Sequence, residues 1–100
     1  MQCHIVWDKT WFADKGKPCP NPVACTLYTR LHLPDGGWSV VPEFSDTPPA
    51  LPSGESMAEK VYFLVESAPH ELLQPGFAFD FMSGGHTVGC CTVIAPSHSG

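Results

Sequence analysis

Apolar residues recur at every second position through most of this chain, in short stretches separated by proline and glycine. In the first stretch, residues 3–8, Cys3, Ile5 and Trp7 fall on one face and His4 and Val6 on the other. Such alternation is typical of strands with one buried face. Eleven prolines and nine glycines interrupt the pattern. It therefore predicts an all-β fold built from short strands.

The clearest alternation runs through residues 23–33, the second predicted strand. Its core face is expected to hold Val23, Cys25, Leu27, Leu31 and Leu33. Its outer face is expected to hold Thr26, Tyr28, Arg30 and His32. Residues 9–22, which contain three alternating prolines, are predicted to form a loop between the first two strands.

The second and third strands are predicted to form a hairpin. The turn-forming residues Pro34, Asp35, Gly36 and Gly37 separate them. The third strand is expected from Trp38 to Glu43, with Trp38 and Val40 facing inward.

The fourth predicted strand, residues 57–67, is apolar on both faces. If Val61, Phe63 and Val65 fill the core, then Tyr62 and Leu64 lie outside. Either a loop of the same chain or another molecule is needed to cover these outer residues. One helical turn starting at Pro69 is expected after this strand.

The last two strands are predicted to form a second hairpin. Phe77, Phe79 and Phe81 recur at period two, and Gly84-Gly85 can adopt the positive φ angles of a two-residue turn. Counting outward from this turn pairs Phe81 with Val88 and Phe79 with Cys90. This register predicts Cys90 in the core and Cys91 outside.

Length and charge narrow the class of protein. One hundred residues suffice for one domain, and the net charge of −5 argues against unassisted nucleic-acid binding. The chain starts at Met1 and shows no charged-then-apolar leader and no apolar run of membrane-spanning length. We therefore expect a cytoplasmic protein with no membrane partner.

Five cysteines, at positions 3, 19, 25, 90 and 91, are an odd number without an export signal, so a disulfide framework is not expected. The spacing contains no C-x-x-C or H-x-x-x-H pair, and the combination of Cys19, Cys25 and Cys3-His4 is irregular for zinc. We expect neither a metal nor another cofactor.

The final hairpin resembles the C-terminal end of elongation factor Tu, where an F-A-[apolar]-R-E-G-G-R-T-V-G-A-G-V-V stretch closes the third domain. The positions that match are Phe77, Ala78, Gly84, Gly85, Thr87, Val88, Gly89 and Val93. A looser similarity extends over residues 4–7, 22–30 and 52–65. The resemblance implies one domain over residues 1–100, a closed six-stranded antiparallel Greek-key barrel.

In elongation factor Tu this barrel is an accessory module that packs on the other domains, touches aminoacyl-tRNA and helps to engage the nucleotide exchange factor. This chain has no G-x-x-x-x-G-K-[ST] loop, so nucleotide binding is not carried over. Met82 and His86 stand where the family has arginines, which removes the phosphate contacts that tRNA binding needs.

The leading hypothesis is a non-catalytic, translation-related module that binds another protein or a second copy of itself. The residues expected to contact the partner are Tyr28, Arg30, His32, Tyr62, Leu64, Asp80 and His86.

The alternatives that stay open are a cysteine-dependent enzyme, a metal-binding protein and a nucleic-acid-binding domain. An enzyme could use Cys91 as a thiolate beside His4, His32 or His86, although an unreactive exposed thiol satisfies the same pattern. A nucleic-acid-binding domain could use Trp11-Phe12 as a stacking platform. The lysines near this platform are Lys9, Lys15 and Lys17.

Overall fold

The computed structural model describes residues 1–34 and 36–95. The strands in these ranges are β1 (Gln2–Trp7), β2 (Thr29–Leu33), β3 (Gly36–Glu43), β4 (Glu55–Ala58), β5 (Lys60–Phe63), β6 (Ala78–Ser83) and β7 (His86–Ile94). Helix α1 spans Lys9–Asp14, and a 3-10 turn spans His70–Leu72. This turn follows Pro69, as predicted.

The strands form two antiparallel sheets. One has the order β4-β1-β7-β6 and the other the order β2-β3-β5. The prediction of a predominantly β fold is confirmed, but the described residues form two sheets rather than one closed barrel. The sheets approach each other at both sides through few hydrogen bonds: Thr29 Oγ1 contacts Met82 N at 2.6 Å, and Val61 N donates to Met1 O at 3.2 Å.

The core lies between the sheets. As predicted, Cys3, Ile5 and Trp7 of β1 face inward and are at most 2% exposed. Burial of a large apolar side chain stabilises a fold by about 1.5–3 kcal/mol. The remaining core residues on the strands are Leu31, Val40, Ala58, Val61, Phe63, Phe79, Phe81, Val88, Cys91 and Val93.

The predicted loop of residues 9–22 begins instead with helix α1. The Asp8 side chain caps this helix by accepting a hydrogen bond from Trp11 N at 3.1 Å. Phe12 is buried and packs edge-on against Trp7, with ring centroids 6.1 Å apart. The prolines that suggested a loop begin only at Pro18, beyond the helix.

The second predicted strand is shorter than expected, and the prediction that Cys25 lies in the core is wrong. Cys25 and Val23 are exposed, although Leu31 is buried as predicted. Leu27 N still donates to Pro42 O at 2.9 Å, but Pro42 has no N–H to return the bond. Regular pairing of β2 with β3 therefore starts only at Thr29. Asp35 of the predicted turn lies outside the described residues.

The fourth predicted strand is divided at Glu59 into β4 and β5, which belong to different sheets. β4 pairs with β1, whereas β5 pairs with β3. Val61 and Phe63 are buried as predicted, but Val65 is 45% exposed because it lies beyond the end of β5.

The final hairpin has the predicted turn, but the predicted register is wrong beyond its first two residue pairs. Gly84 and Gly85 have φ angles of 57° and 82°. A β-bulge at Val88 then shifts the pairing, so that Phe81 opposes Gly89 and Phe79 opposes Cys91. Cys91 is consequently buried and Cys90 exposed, the reverse of the prediction.

Candidate functional site

Five of the predicted contact residues lie on one surface, the outer face of the three-stranded sheet. Tyr28 directly precedes β2, and Leu64 directly follows β5. Leu64 N donates to Ser39 O at 2.9 Å, which continues the pairing with β3. The five residues are Tyr28, Arg30, His32, Tyr62 and Leu64, and all are exposed.

This face carries large apolar groups in contact with solvent. Tyr28 is 63% exposed, Tyr62 is 38% exposed and Leu64 is 57% exposed. Val41 also belongs to the outer face but is 1% exposed, because the strand register places it between Tyr28 and Tyr62. The two tyrosine rings therefore flank a buried valine and form an apolar ridge.

Two side chains of this face have defined neighbours on the sheet surface. The Tyr62 hydroxyl donates to the Glu43 carboxylate. This hydrogen bond is the main reason that the pKa of Tyr62 is raised above its ordinary value, with smaller effects from desolvation and from the negative charges of Glu43 and Tyr28. Arg30 lies against Gly37, where a methyl group in place of the glycine hydrogen would come within 2.9 Å of Arg30 Nε.

The other two predicted contact residues lie apart from the ridge. Asp80 is exposed on β6 and lines a depression of about 400 Å³ together with Arg30 and His32 of the neighbouring β2. His86 opens β7 on the other side of the hairpin, where its ring centroid is 6.4 Å from that of Trp11.

Cys91 is not the exposed thiol that the sequence suggested. It is fully buried, and the register places it between Ile5 and Phe79. Its pKa is raised well above that of an ordinary thiol, first by a hydrogen bond with Cys3 and then by desolvation and nearby negative charges. A thiolate at Cys91 is therefore strongly disfavoured.

Among residues 1–34 and 36–95, no cluster of three or more histidine, cysteine or acidic side chains could hold a metal ion. Within the same ranges, no helix is both long and apolar enough to cross a membrane.

Trp11, Phe12 and Lys17, which the sequence suggested as an aromatic platform with nearby lysines, line an aromatic groove of about 480 Å³. The groove itself, between α1, residues 17–28 and the β6–β7 hairpin, was not predicted. The groove is open to solvent. Its lining residues include Trp7, Trp11, Phe12, Leu27, Tyr28, Phe81 and Val88. The signal that could have found it is the capping aspartate Asp8, which starts a helix that brings Trp11 and Phe12 toward Trp7.

The polar side chains that line this aromatic groove are exposed to solvent or already paired. Trp7 Nε1 donates to Ser56 Oγ at 2.9 Å, so this indole leaves no unsatisfied donor at the base of the groove. Lys17, Asn21 and Ser83 also line the groove. The described lining residues include no carboxylate.

The aromatic groove continues along the line where β2 lies beside β6. Tyr28 and Ser83 line both the groove and a second depression, which also contains Arg30, His32 and Met82. These three residues in turn line the third depression, which reaches Phe77 and Asp80. The three depressions share lining residues, and we call them together the seam groove. The seam groove has an apolar end followed by hydrogen-bond donors and charged side chains. A groove of this composition can bind a ligand that has both apolar and polar groups.

No family model, curated protein sequence or solved structure matches the chain significantly.

Proposed function

We propose that this chain is a non-catalytic module that binds another protein through the outer face of its three-stranded sheet. The observation that carries the proposal is the joint exposure of Tyr28, Tyr62 and Leu64 on one sheet face. Tyrosine supplies much of the binding energy in many interfaces, because its large ring buries area at low entropic cost and its hydroxyl can form a hydrogen bond.

The contacts of Tyr62 and Arg30 support the same proposal. The Tyr62–Glu43 hydrogen bond and the packing of Arg30 on Gly37 restrict two side chains before a partner arrives. Restricting side chains in advance lowers the entropy that is lost on association. The exposed guanidinium of Arg30 offers a bidentate donor to a partner carboxylate.

We also propose that the module is related in fold to the third domain of elongation factor Tu, and that it acts among translation factors in the cytoplasm. The double-glycine turn and the matching residues of the final hairpin support this relationship. Further support comes from the hydrogen bonds that join the two sheets at both sides. If β4 and β5 are counted as one bent strand, the chain has six strands. Additional pairing at the two sides would then close these strands into a barrel.

A non-catalytic role is supported by the burial of Cys91, the thiol on which the enzyme hypothesis depended. Nucleophilic catalysis requires a thiolate that substrate can reach.

Quantitative affinity capture tests the proposed function. Wild-type chain and the Leu64→Ser variant would be used as baits in extracts of cells that express the chain, with Val6→Ser as the matched control. Val6 is 45% exposed on the outer face of the other sheet, so the control removes a similar apolar group elsewhere. We expect proteins that Val6→Ser retains and Leu64→Ser loses. Equal recovery by all three baits would contradict the proposal.

Self-association is a separate outcome of the same design. Light scattering of the wild-type chain and the Leu64→Ser variant would show whether the partner is a second copy. A dimer that Leu64→Ser converts to a monomer identifies the face as a homomeric interface. A dimer that is unaffected by Leu64→Ser but disrupted by Val6→Ser would place the interface on the four-stranded sheet and contradict the proposal.

A further inference from the structure

The apolar end of the seam groove has the composition of an anchor pocket. Trp7, Phe12 and Phe81 are core residues that also line the groove, while Trp11 and Tyr28 are more exposed. The rings are held by edge-to-face contacts, with Trp7 and Phe81 centroids 4.9 Å apart. A volume of about 480 Å³ is within the range of small-ligand pockets and exceeds that of one large side chain.

Lys17 is the one charged residue in the described lining of this end, although the Asp8 carboxylate lies close to it, since it accepts a hydrogen bond from Trp11 N. The chain has five basic residues and a net charge of −5, yet Lys17 lines the aromatic groove and Lys15 Nζ lies 5.7 Å from the Trp11 ring centroid. Arg30 and His32 continue the series of potential cations along the seam groove. Asp80 appears only in the depression farthest from the aromatic end. The groove is therefore complementary to negative charge near its anchor end.

The shape of the seam groove favours an extended occupant. It follows β2 from Tyr28 to Leu33, and six residues of extended chain span about 20 Å. A compact ligand would fill only one of the three depressions. A peptide in extended conformation would contact all of them.

We infer that the seam groove binds an extended acidic segment of a partner protein, with one bulky apolar side chain seated at the aromatic end. Carboxylates next to that anchor contact Lys17 and Arg30, and a neutral or basic residue lies beside Asp80. The inference rests on the proposed protein-binding function but assigns it a second surface and a class of ligand. The Asp80 carboxylate at the far end of the groove disfavours a polynucleotide, which carries a negative charge at every residue, whereas a peptide can place a neutral or basic residue there.

Selection from a displayed library of random decapeptides tests this inference with the intact chain. The expected consensus has an aromatic or large aliphatic residue flanked by at least two acidic residues, with no acidic residue at the end that reaches Asp80. Enrichment of basic peptides, or no enrichment over a blank support, would overturn the inference.

Charge variants locate the site of the selected peptide. We expect Lys17→Glu to weaken binding of the most enriched decapeptide about five-fold or more, since a carboxylate there would repel the peptide. Lys60→Glu makes the same charge change on β5, outside the groove-lining residues, and should leave the affinity within two-fold. Equal effects of the two variants would show general electrostatic attraction and overturn the assignment of the site.

Two further measurements test the aromatic anchor of the groove and whether single-stranded nucleic acid binds there instead of a peptide. Trp11→Ala should abolish measurable peptide binding, whereas Trp11→Phe, which keeps a ring on α1, should retain most of it. Circular dichroism tests whether both variants are folded. If Trp11→Ala is unfolded, the comparison of Lys17→Glu with Lys60→Glu tests the assignment of the site. A fluorescent twelve-nucleotide oligothymidine that binds more tightly than the peptide at 0.15 M salt would overturn the inference in favour of single-stranded nucleic acid.

The outcomes separate the inference from the proposed function. Leu64 lies outside the seam groove, so loss of captured partner in Leu64→Ser together with a failed peptide selection would leave the proposed function intact and reject only the groove. Loss of peptide binding in Lys17→Glu without any effect of Leu64→Ser on capture would reject the sheet face and retain the groove.

Discussion

The outer faces of the two sheets differ in what they present to solvent. On the four-stranded sheet, His4 Nε2 lies 2.8 Å from Glu55 Oε1, and Val6 is the large apolar side chain with substantial exposure. On the three-stranded sheet, Tyr28, Tyr62 and Leu64 are exposed around a buried valine. Both faces consist of the outward residues of alternating strands. Alternation therefore identifies which residues face solvent, while their chemistry identifies which face is suited to a partner.

Thiol labelling should give the largest difference, because it reports which residues of the four-stranded sheet face outward. With iodoacetamide at pH 8.5, Cys90 should react at least about a thousand-fold faster than Cys91, whose modification requires an opening worth roughly 4 kcal/mol or more. Peptide mass spectrometry after timed quenching distinguishes the adjacent cysteines. Faster modification of Cys91 would mean that the hairpin lacks the bulge at Val88.

Phe81→Ala should have the largest effect on stability. Phe81 is 5% exposed and packs against Trp7 in the core that both sheets share, so its truncation should lower the free energy of unfolding by about 3–5 kcal/mol. Urea denaturation followed by tryptophan fluorescence measures the change. Leu64→Ser on the outer face is the contrast and should cost less than about 1 kcal/mol. Similar losses in the two variants would remove the distinction between core and binding face.

Thr29→Val should have an intermediate effect, because it removes the hydroxyl that joins the sheets. Thr29 Oγ1 accepts a hydrogen bond from Met82 N and donates one to Met82 O, and Thr29 is 5% exposed. Valine keeps the shape but leaves the Met82 amide without this partner, which should cost about 1–3 kcal/mol in urea denaturation. Thr29→Ser retains the hydroxyl and should cost less. The opposite order would indicate that the methyl group, rather than the hydrogen bonds, joins β2 to β6.

Tyr28→Ala should have the smallest effect on folding. Its effect on peptide affinity tests which sheet face binds the peptide. Tyr28 borders both the apolar ridge and the aromatic groove, so we expect affinity for the selected decapeptide to fall about ten-fold. Isothermal titration calorimetry measures the affinity, with Val6→Ser as the control from the other sheet. A ten-fold loss in Val6→Ser, with no loss in Tyr28→Ala, would assign binding to the four-stranded sheet.

The sequence predicted those parts of the fold in which alternation and turn chemistry agree. The inward face of β1, the outward residues of β2 and the glycine turn of the last hairpin are in this group. These features depend on local geometry, which neighbouring residues determine.

The errors arise where single residues disturb the strand pairing. Pro42 removes one hydrogen bond, so that residues before Thr29 pair with the end of β3 only through isolated bonds. A break at Glu59 transfers the chain from one sheet to the other. Gly89 directly follows the bulge at Val88, and a side chain there would come within 3.0 Å of Val6 O on β1. Alternation alone does not reveal which strand lies beside a given residue, so this contact was not predictable.

The candidate site was only partly predictable, because alternation shows which residues face outward but not which strands lie side by side. Tyr28, Arg30, His32, Tyr62 and Leu64 could be assigned to outer positions by parity, but their placement on one sheet depends on the pairing of β5 with β3. The aromatic groove combines α1 with residues that are distant in sequence. The groove depends on the tertiary packing of Phe12 against Trp7, which alternation does not show.

The central claim, that binding occurs on the β2 side of the molecule, is tested most directly by nuclear magnetic resonance. The amide signals of the isotope-labelled chain would be followed while the selected decapeptide is added to saturation. We predict that the largest shifts lie in residues 28–32 and 82–85, which line the seam groove. Largest shifts at His4, Val6 and Glu55 on the outer face of the four-stranded sheet would contradict the claim.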